Sequence, residues 1–484
     1  MTDKTRRRGN GQAAMTTVPA WRILPALVRN PLKALVDLAT DAAGGMVELR
    51  LGPERLYLLS DPAQVAHVLR DNAGNYRRDG RGLLWGPIKR LFGEGVLGEG
   101  PVWAASRQTL QPLFAARRLD ALADDLADAI GEASEPLDAA ARQGHSVDIG
   151  AELCRIVCRA MVRVLFADRF STTQALRITA AQDVIATAVL PRLLLPFVPE
   201  VVPLPGDRPF RRAVREIDGI VLPVVRQARA DPSGDDVVAT LARGHDAQGR
   251  PLSERQLRND TVAMFATSTE TTYGVLTCLW PMLARYPQVA RRLTAEIDEV
   301  VGSGPVRGRH LPRLRYTRMV LDELLRLFPV GWLVPRTATN DDVIGGVALK
   351  AGAQVLISPY LTHRLPSVWP QPLHFDPDRF DPDRVDAQQT DPRQTDPRQG
   401  VVVAAAAPRR RARYAHFPFG GGPHQCLGQY LFYLEATLIV ATILSRFQVT
   451  VPDSRVPELR PGAALRASRP VRVLLRPHTA NRVA

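Results

Sequence analysis

Cysteine is scarce in this chain. Only Cys154, Cys158, Cys278 and Cys426 occur among 484 residues, at spacings that build no disulfide framework. A reducing cytoplasm is the economical reading of that shortage. Long apolar runs at the amino terminus are missing as well. Met1 to Thr17 is basic and polar, and the apolar stretch after it is broken by Pro19, Arg22, Pro25 and Arg29. That pattern excludes a signal core and a transmembrane anchor there. Residues 1–17 read as a disordered basic terminus, with Met15 an alternative start to Met1. Acidic residues are outnumbered, 49 against 63 lysines and arginines, for a net charge of +14. Such a field suits nucleic acid, an anionic membrane surface or an acidic protein. No zinc-finger spacing, RNA-recognition sequence or basic zipper is present, so no nucleic-acid partner is expected.

The rest of the composition, 45% hydrophobic and 23% charged, is that of a globular protein with a large core. Length alone would suit about three domains. Alternation from Met46 to Leu59 predicts a hairpin turning at Gly52-Pro53. Helical periodicity then dominates. Ala121 to Glu135 is amphipathic, Ile149 to Phe166 reads as a buried helix, and Ser253 to Tyr286 is the longest helical candidate. Ser253 and Gln256 have the spacing of a capping box, and Tyr286-Pro287 supplies a stop. Further helices are expected from Gln288 to Val301 and Tyr316 to Phe328, with strand-like pieces at Asp342 to Ala348 and Gln354 to Ser358. Residues 381–413 differ in kind. A tandem TDPRQ, a VVVAAAA run and a basic stretch cannot build a core and read as a disordered surface insertion, with a basic docking patch as the alternative.

The chemistry concentrates in FPFGGGPHQCLG, Phe417 to Gly428. A glycine-rich turn presenting a cysteine lets a flat macrocycle approach the backbone, and N–H groups of the turn can tune the sulfur. Taken alone, Cys426 could equally be a structural cysteine on a tight turn. Upstream, Glu323 and Arg326 in LDELLRLFP share one helix face; an isolated surface pair of this kind contributes only about 0.3 to 0.5 kcal/mol. Trp103 and Arg107 are four apart and also share a face. MFATSTETTYG puts Glu270 and Thr271 inside the longest helix, where an acid and an alcohol can order water and relay protons. Cys154 and Cys158 lack histidine partners and read as core packing.

Phe419, Gly422, Cys426 and Gly428 spell Phe-x-x-Gly-x-x-x-Cys-x-Gly, and this stretch resembles the haem-binding signature of the cytochrome P-450 family. The resemblance extends over nearly the whole chain, with its motifs in order. It implies a mainly α fold with a small β-rich lobe, forming one domain over 18–484 rather than three. It implies haem b, with Cys426 as the axial thiolate ligand to iron. Trp103, Arg107, Arg336 and His424 would hold propionates, His424 standing where the family has arginine or histidine. Glu323 and Arg326 would join Arg379 of FDPDRF in a structural triad. Glu270 and Thr271 would deliver protons to dioxygen, although Ser268 occupies a position usually given to glycine.

The implied activity is monooxygenation, the hydroxylation of an unactivated C–H bond at the cost of dioxygen, two electrons and two protons. With no dinucleotide fingerprint or fused flavin module in the chain, a separate ferredoxin and ferredoxin reductase are the implied electron donors to a monomer. By position the substrate pocket draws on Leu83 to Leu97, Val189 to Pro205, Ala263 to Thr267 and Val330 to Val334, which are apolar with few charges. A bulky apolar substrate follows, a terpene of secondary metabolism in the first instance. A fatty acid or polyketide hydroxylase, or a haem or ligand-binding protein without oxygenase activity, are the alternatives.

Overall fold

The computed structural model of the protein describes residues 15–51, 54–78, 85–188, 201–383, 412–462 and 464–478. The turn at Gly52-Pro53, most of the expected 381–413 insertion, nearly all of the basic terminus and the 189–200 part of the expected pocket wall lie outside the described residues.

The expected division into helices and a smaller strand region is what forms. Val47–Leu51 pairs antiparallel with Glu54–Leu59, which runs parallel to Gln354–Ile357. Val334–Ala338 and Tyr76–Arg77 complete one edge, and Thr16–Pro19 the other, of a six-stranded sheet. Its two faces bury separate apolar clusters, one around Tyr57, Leu59 and Val355 and one around Leu49, Leu58 and Leu356, the consequence of side chains alternating across a strand. The stretch Asp342 to Ala348 is not one strand. It splits into Asp342–Ile344 and Val347–Leu349, paired antiparallel across Gly345-Gly346, whose φ angles of 54° and 81° make a turn that other residues resist.

Helices carry the larger core. Glu254–Arg285 is buried from Leu257 to Ala266 and from Gly274 to Leu283, as a central rod packed on Ile149–Phe166 and Asp207–Ala230. Ser253 caps it by accepting from Gln256 N at 3.1 Å, but the Gln256 side chain donates to Ser106 Oγ at 3.0 Å instead of closing the box. Ile149–Phe166 forms with the expected bounds, and Cys158 is buried in it. Gln429–Arg446, buried from Leu431 to Leu444, begins three residues after Cys426.

The helix Arg315–Leu327 holds the two regions together. Glu323 and Arg326 are both fully buried on it, Arg326 Nε donating to Glu323 Oε2 at 2.6 Å and Nη2 to Oε1 at 2.8 Å. The remaining guanidinium protons are given to chain carbonyls: Nη1 to His363 O at 2.8 Å and Pro372 O at 2.7 Å, Nη2 to His374 O at 3.1 Å. Glu323 Oε1 also accepts from Asp376 N at 2.9 Å and stands 3.4 Å from Arg379 Nε. Removing one partner of a buried pair strands the other charge and costs about 3 to 5 kcal/mol. Arg326→Ala is expected to lose that much in denaturant unfolding. Arg326→Lys, which cannot fork between carboxylate and carbonyls, should recover less than half of it; full recovery would show that charge alone suffices.

Candidate active site

Cys426 is set by hydrogen bonds before and after it. Its N–H donates to Phe419 O at 3.0 Å, Gly420 N to Phe417 O at 2.9 Å and Gln425 N to Gly422 O at 3.1 Å, winding Phe417 to Cys426 into a compact loop. Gly422 is obligatory there. Its φ is +67°, and a Cβ would lie 1.7 Å from Leu69 O. The Gly428 N–H bonds the Cys426 sulfur, and Arg107 and Arg78 bring positive charge near it. Removal from bulk water is the larger effect and raises the Cys426 thiol above its ordinary value, with those groups opposing it. Phe419 packs its ring 5.6 Å from that of Phe432 on the helix after the loop.

The start of the loop is tied to the buried ion pair through His363. Phe417 N donates to His363 Nε2 at 3.0 Å, so Nδ1 carries the proton and donates to Arg326 O at 3.2 Å. Burial drives the His363 pKa well below its ordinary value, keeping the ring neutral, as this arrangement requires. Nothing in the local sequence singles out this histidine.

Cys426 lines a cavity of about 300 Å³. Trp103, Arg107, Arg336, Phe419, His424 and Gly428 line it too, so the residues gathered from three separate sequence segments do converge. Arg78, which has no motif around it, joins them. Burial, with Arg336 nearby, lowers Arg78 to about 9, and burial lowers Arg336 to about 10. Arg107 donates to Gln425 O at 2.6 Å, directly before the cysteine. Glu99 is the acidic counterweight. It accepts from Arg78 N at 2.9 Å and lies 3.1 Å from His424 Nε2. Burial raises its pKa, but the His424 and Arg78 bonds outweigh that and hold it at about 2. Burial also keeps His424 below its ordinary value, against the pull of Glu99. The Trp103 and His424 rings are 4.2 Å apart, and two buried nitrogens, Trp103 Nε1 and His424 Nδ1, have no hydrogen-bond partner.

The long helix forms another wall through Met264, Thr267, Ser268, Thr271 and Thr272. Its hydroxyls turn back onto its own carbonyls: Thr271 Oγ1 donates to Thr267 O at 2.8 Å and Ser268 Oγ to Phe265 O at 3.2 Å. Glu270 faces elsewhere, because consecutive helical residues differ by about 100° around the axis. It accepts from Arg466 Nε at 2.8 Å, and Arg466 is also bonded to Asp183. Burial raises the Glu270 pKa against Arg466. Besides Met264 and Thr267, the expected pocket segments bring Val96, Leu97, Val330, Gly331, Leu333 and Val334 to the cavity. Asp260 anchors the Val96 segment: it accepts from Val96 N at 2.6 Å and Ser106 Oγ at 2.5 Å. Flanked by Arg258, Asn259 and Thr261, it reads in sequence as one more polar residue of the helix start.

A helical fold that presents a cysteine from a glycine loop into a cavity carrying arginines on one side and apolar side chains on the other has the arrangement of a haem-thiolate protein. The chain belongs to the cytochrome P450 family, whose model matches residues 16–475. It is 31% identical to cyclooctatin synthase of Streptomyces melanosporofaciens over 93% of this chain and 92% of that protein. It is 28% identical to pentalenene oxygenase of Streptomyces avermitilis, covering 94% of each. The fold matches the crystal structure of the cytochrome P450DA heme domain with a TM-score of 0.78 at 22% identity, over 96% of this chain and 98% of that one. The protein is thus a cytochrome P450 monooxygenase carrying haem ligated by Cys426.

Sequence motifs did not point to Glu435. It lies on the helix after the cysteine loop, 1% exposed, lines the cavity, and has no partner for Oε1. Burial raises its pKa from 4.5 to about 8, against a hydrogen bond from Thr272. Above the ordinary carboxylate range the unfolded chain releases a proton that the folded chain keeps, so stability falls as pH rises from 4.5 toward 8 and the loss is complete above that. Glu435→Gln removes this dependence. Its denaturant stability relative to the parent should grow by about 1 kcal/mol per pH unit across that window; a constant difference would show Glu435 ionised in the folded state.

Proposed function

We propose that this monooxygenase hydroxylates an unactivated C–H bond of a bulky, apolar terpene, with electrons delivered by a separate ferredoxin and its reductase. The observation that carries the substrate class is the cavity wall. Val96, Leu97, Met264, Val330, Leu333 and Val334 give it no fixed charge to orient a substrate, so selection rests on shape and apolar area. The similarity to proteins named for cyclooctatin and pentalenene supports the same class.

The residues present fit a haem. Trp103 Nε1 and His424 Nδ1 are polar atoms left unpartnered in a wall that already carries three arginines, a donor set suited to two propionates. Arg78, Arg107, Arg336, Trp103 and His424 would hold those groups, Gly428 would leave room for the ring, Phe419 would pack against it, Gly422 would shape the cysteine loop from behind, and the Cys426 sulfur would hold the iron. With its Nε2 proton given to Glu99, neutral His424 has only a lone pair at Nδ1; it meets a propionate by taking a second proton. Bound haem supplies activation of dioxygen, one atom entering a C–H bond and the other leaving as water.

Proton handling falls to the long helix. Thr271 Oγ1 holds a proton at the cavity; on leaving the Thr267 carbonyl it passes that proton on while accepting another from water, so the hydroxyl is restored. Glu270 shares Arg466 with the half-exposed Asp183 and takes protons from that side. Ser268 supplies a further hydroxyl to the cavity.

Two measurements test this reading. Cyclic terpene hydrocarbons and alcohols should shift the haem spectrum at lower concentration than fatty acids or polyketide acids; the reverse order would remove the terpene assignment. With a turned-over terpene, Thr271→Ala should consume reductant at a comparable rate while product falls about tenfold or more. Unchanged coupling would remove Thr271 from proton delivery.

A further inference from the structure

The helix Ala20–Arg29, AWRILPALVR, is apolar on two sides. Ile23 is buried and Leu27 packs on the cluster beneath the sheet, so this side is the one the fold uses. Trp21, Leu24 and Val28 are 71%, 55% and 77% exposed. Their spacing of three and four places them on one stripe, and Pro25 falls within it. Elsewhere among the described residues, large exposed hydrophobics are scattered or in pairs, the ordinary condition of a protein surface. Three on one ten-residue helix, a tryptophan among them, form a continuous patch.

Both charges of this helix are positive. Arg22 lies beside the stripe with its guanidinium 5.2 Å from the Trp21 ring centre, and Arg29 follows on the same flank one turn-pair later. The helix contains no acidic residue. This composition selects among occupants. A second copy docking about a two-fold axis would bring Arg22 and Arg29 against their own equivalents, with no carboxylate on the helix to compensate. An acidic protein would satisfy the arginines, and would cover the stripe only with an apolar patch of its own set among its carboxylates. An anionic bilayer satisfies both, since its headgroups are negative and its acyl boundary takes tryptophan and aliphatic side chains. Ten residues span about 15 Å, half of a bilayer core of about 30 Å, so the helix lies along the surface and does not cross it. Among the described residues no helix is long and apolar enough to cross a membrane.

We propose that Ala20–Arg29 is a peripheral docking element for an anionic lipid surface, with Trp21, Leu24 and Val28 entering the headgroup boundary and Arg22 and Arg29 meeting lipid phosphates. The stripe rests on Ile23 and Leu27, through which the helix is fixed to the body of the protein. Binding therefore places the whole molecule in one orientation on the bilayer.

Flotation of the full-length haem-loaded protein tests this, with vesicles of phosphatidylcholine alone or mixed with phosphatidylglycerol. The protein should float with the mixed vesicles only. The triple variant W21S/L24S/V28S should lower the bound fraction about tenfold or more. R22Q/R29Q should weaken binding and flatten its dependence on salt. All three substituted apolar residues are largely exposed, so the variants should keep the parent's carbon monoxide spectrum, which reports the intact thiolate site. The proposal is overturned if the parent protein stays with the unfloated fraction, or if W21S/L24S/V28S floats as well as the parent. It is equally overturned if sedimentation shows a dimer that this variant dissolves, which would assign the stripe to a second copy. Loss of ferredoxin binding in the variant, with no vesicle binding by the parent, would assign it to the redox partner.

Discussion

The buried guanidinium of Arg326 is the constraint from which the site follows. A positive charge at that depth persists only if every proton is accepted and the charge is met, and Glu323 provides for two of its nitrogens. The other acceptors are carbonyls of His363, Pro372 and His374, which pins a coil that has little regular structure of its own. His363 passes that order on to Phe417, where the cysteine loop begins. The position of Cys426 is thus inherited from an ion pair on another helix.

Charge is divided sharply within the cavity. Arg78, Arg107 and Arg336 stand with Trp103 and His424, the group suited to an anionic macrocycle, while the wall near Val330 and Met264 is apolar. Burial lowers the pKa of the arginines yet leaves Arg78 and Arg336 at about 9 and 10, so they stay charged near neutrality. Burial leaves Glu435 protonated in the same range. A site assembled this way suits a haem, with the cations gathered on one side of the cavity and the apolar wall on the other.

Much of this was legible in the chain. The thiolate loop, the Glu323–Arg326 pair, the Trp103–Arg107 spacing and the long helix are local patterns, and each survives as a local structure. The helix Ile149–Phe166 could be bounded from periodicity because its caps, Asp148 and Ala167, lie at its own ends. The strand piece at Asp342 could not, because the pairing of Asp342–Ile344 with Val347–Leu349 depends on a turn rather than on propensity. Glu270 and Thr271 are neighbours in sequence with different surroundings, one at Arg466 and the other at the cavity. Their separation needed the partner element, 196 positions away from Glu270, to become visible.

The sequence by itself determined the family, the ligand cysteine and the mainly helical architecture, because those rest on residue identity and on spacings within a few turns of chain. Tertiary structure alone decided that Arg78 joins the cation cluster, that His363 links the ion pair to the cysteine loop, and that Glu435 holds a proton beside the cavity. Each of these depends on burial and on contacts between distant segments, and a lone arginine, histidine or glutamate reads the same in sequence whether water or protein surrounds it.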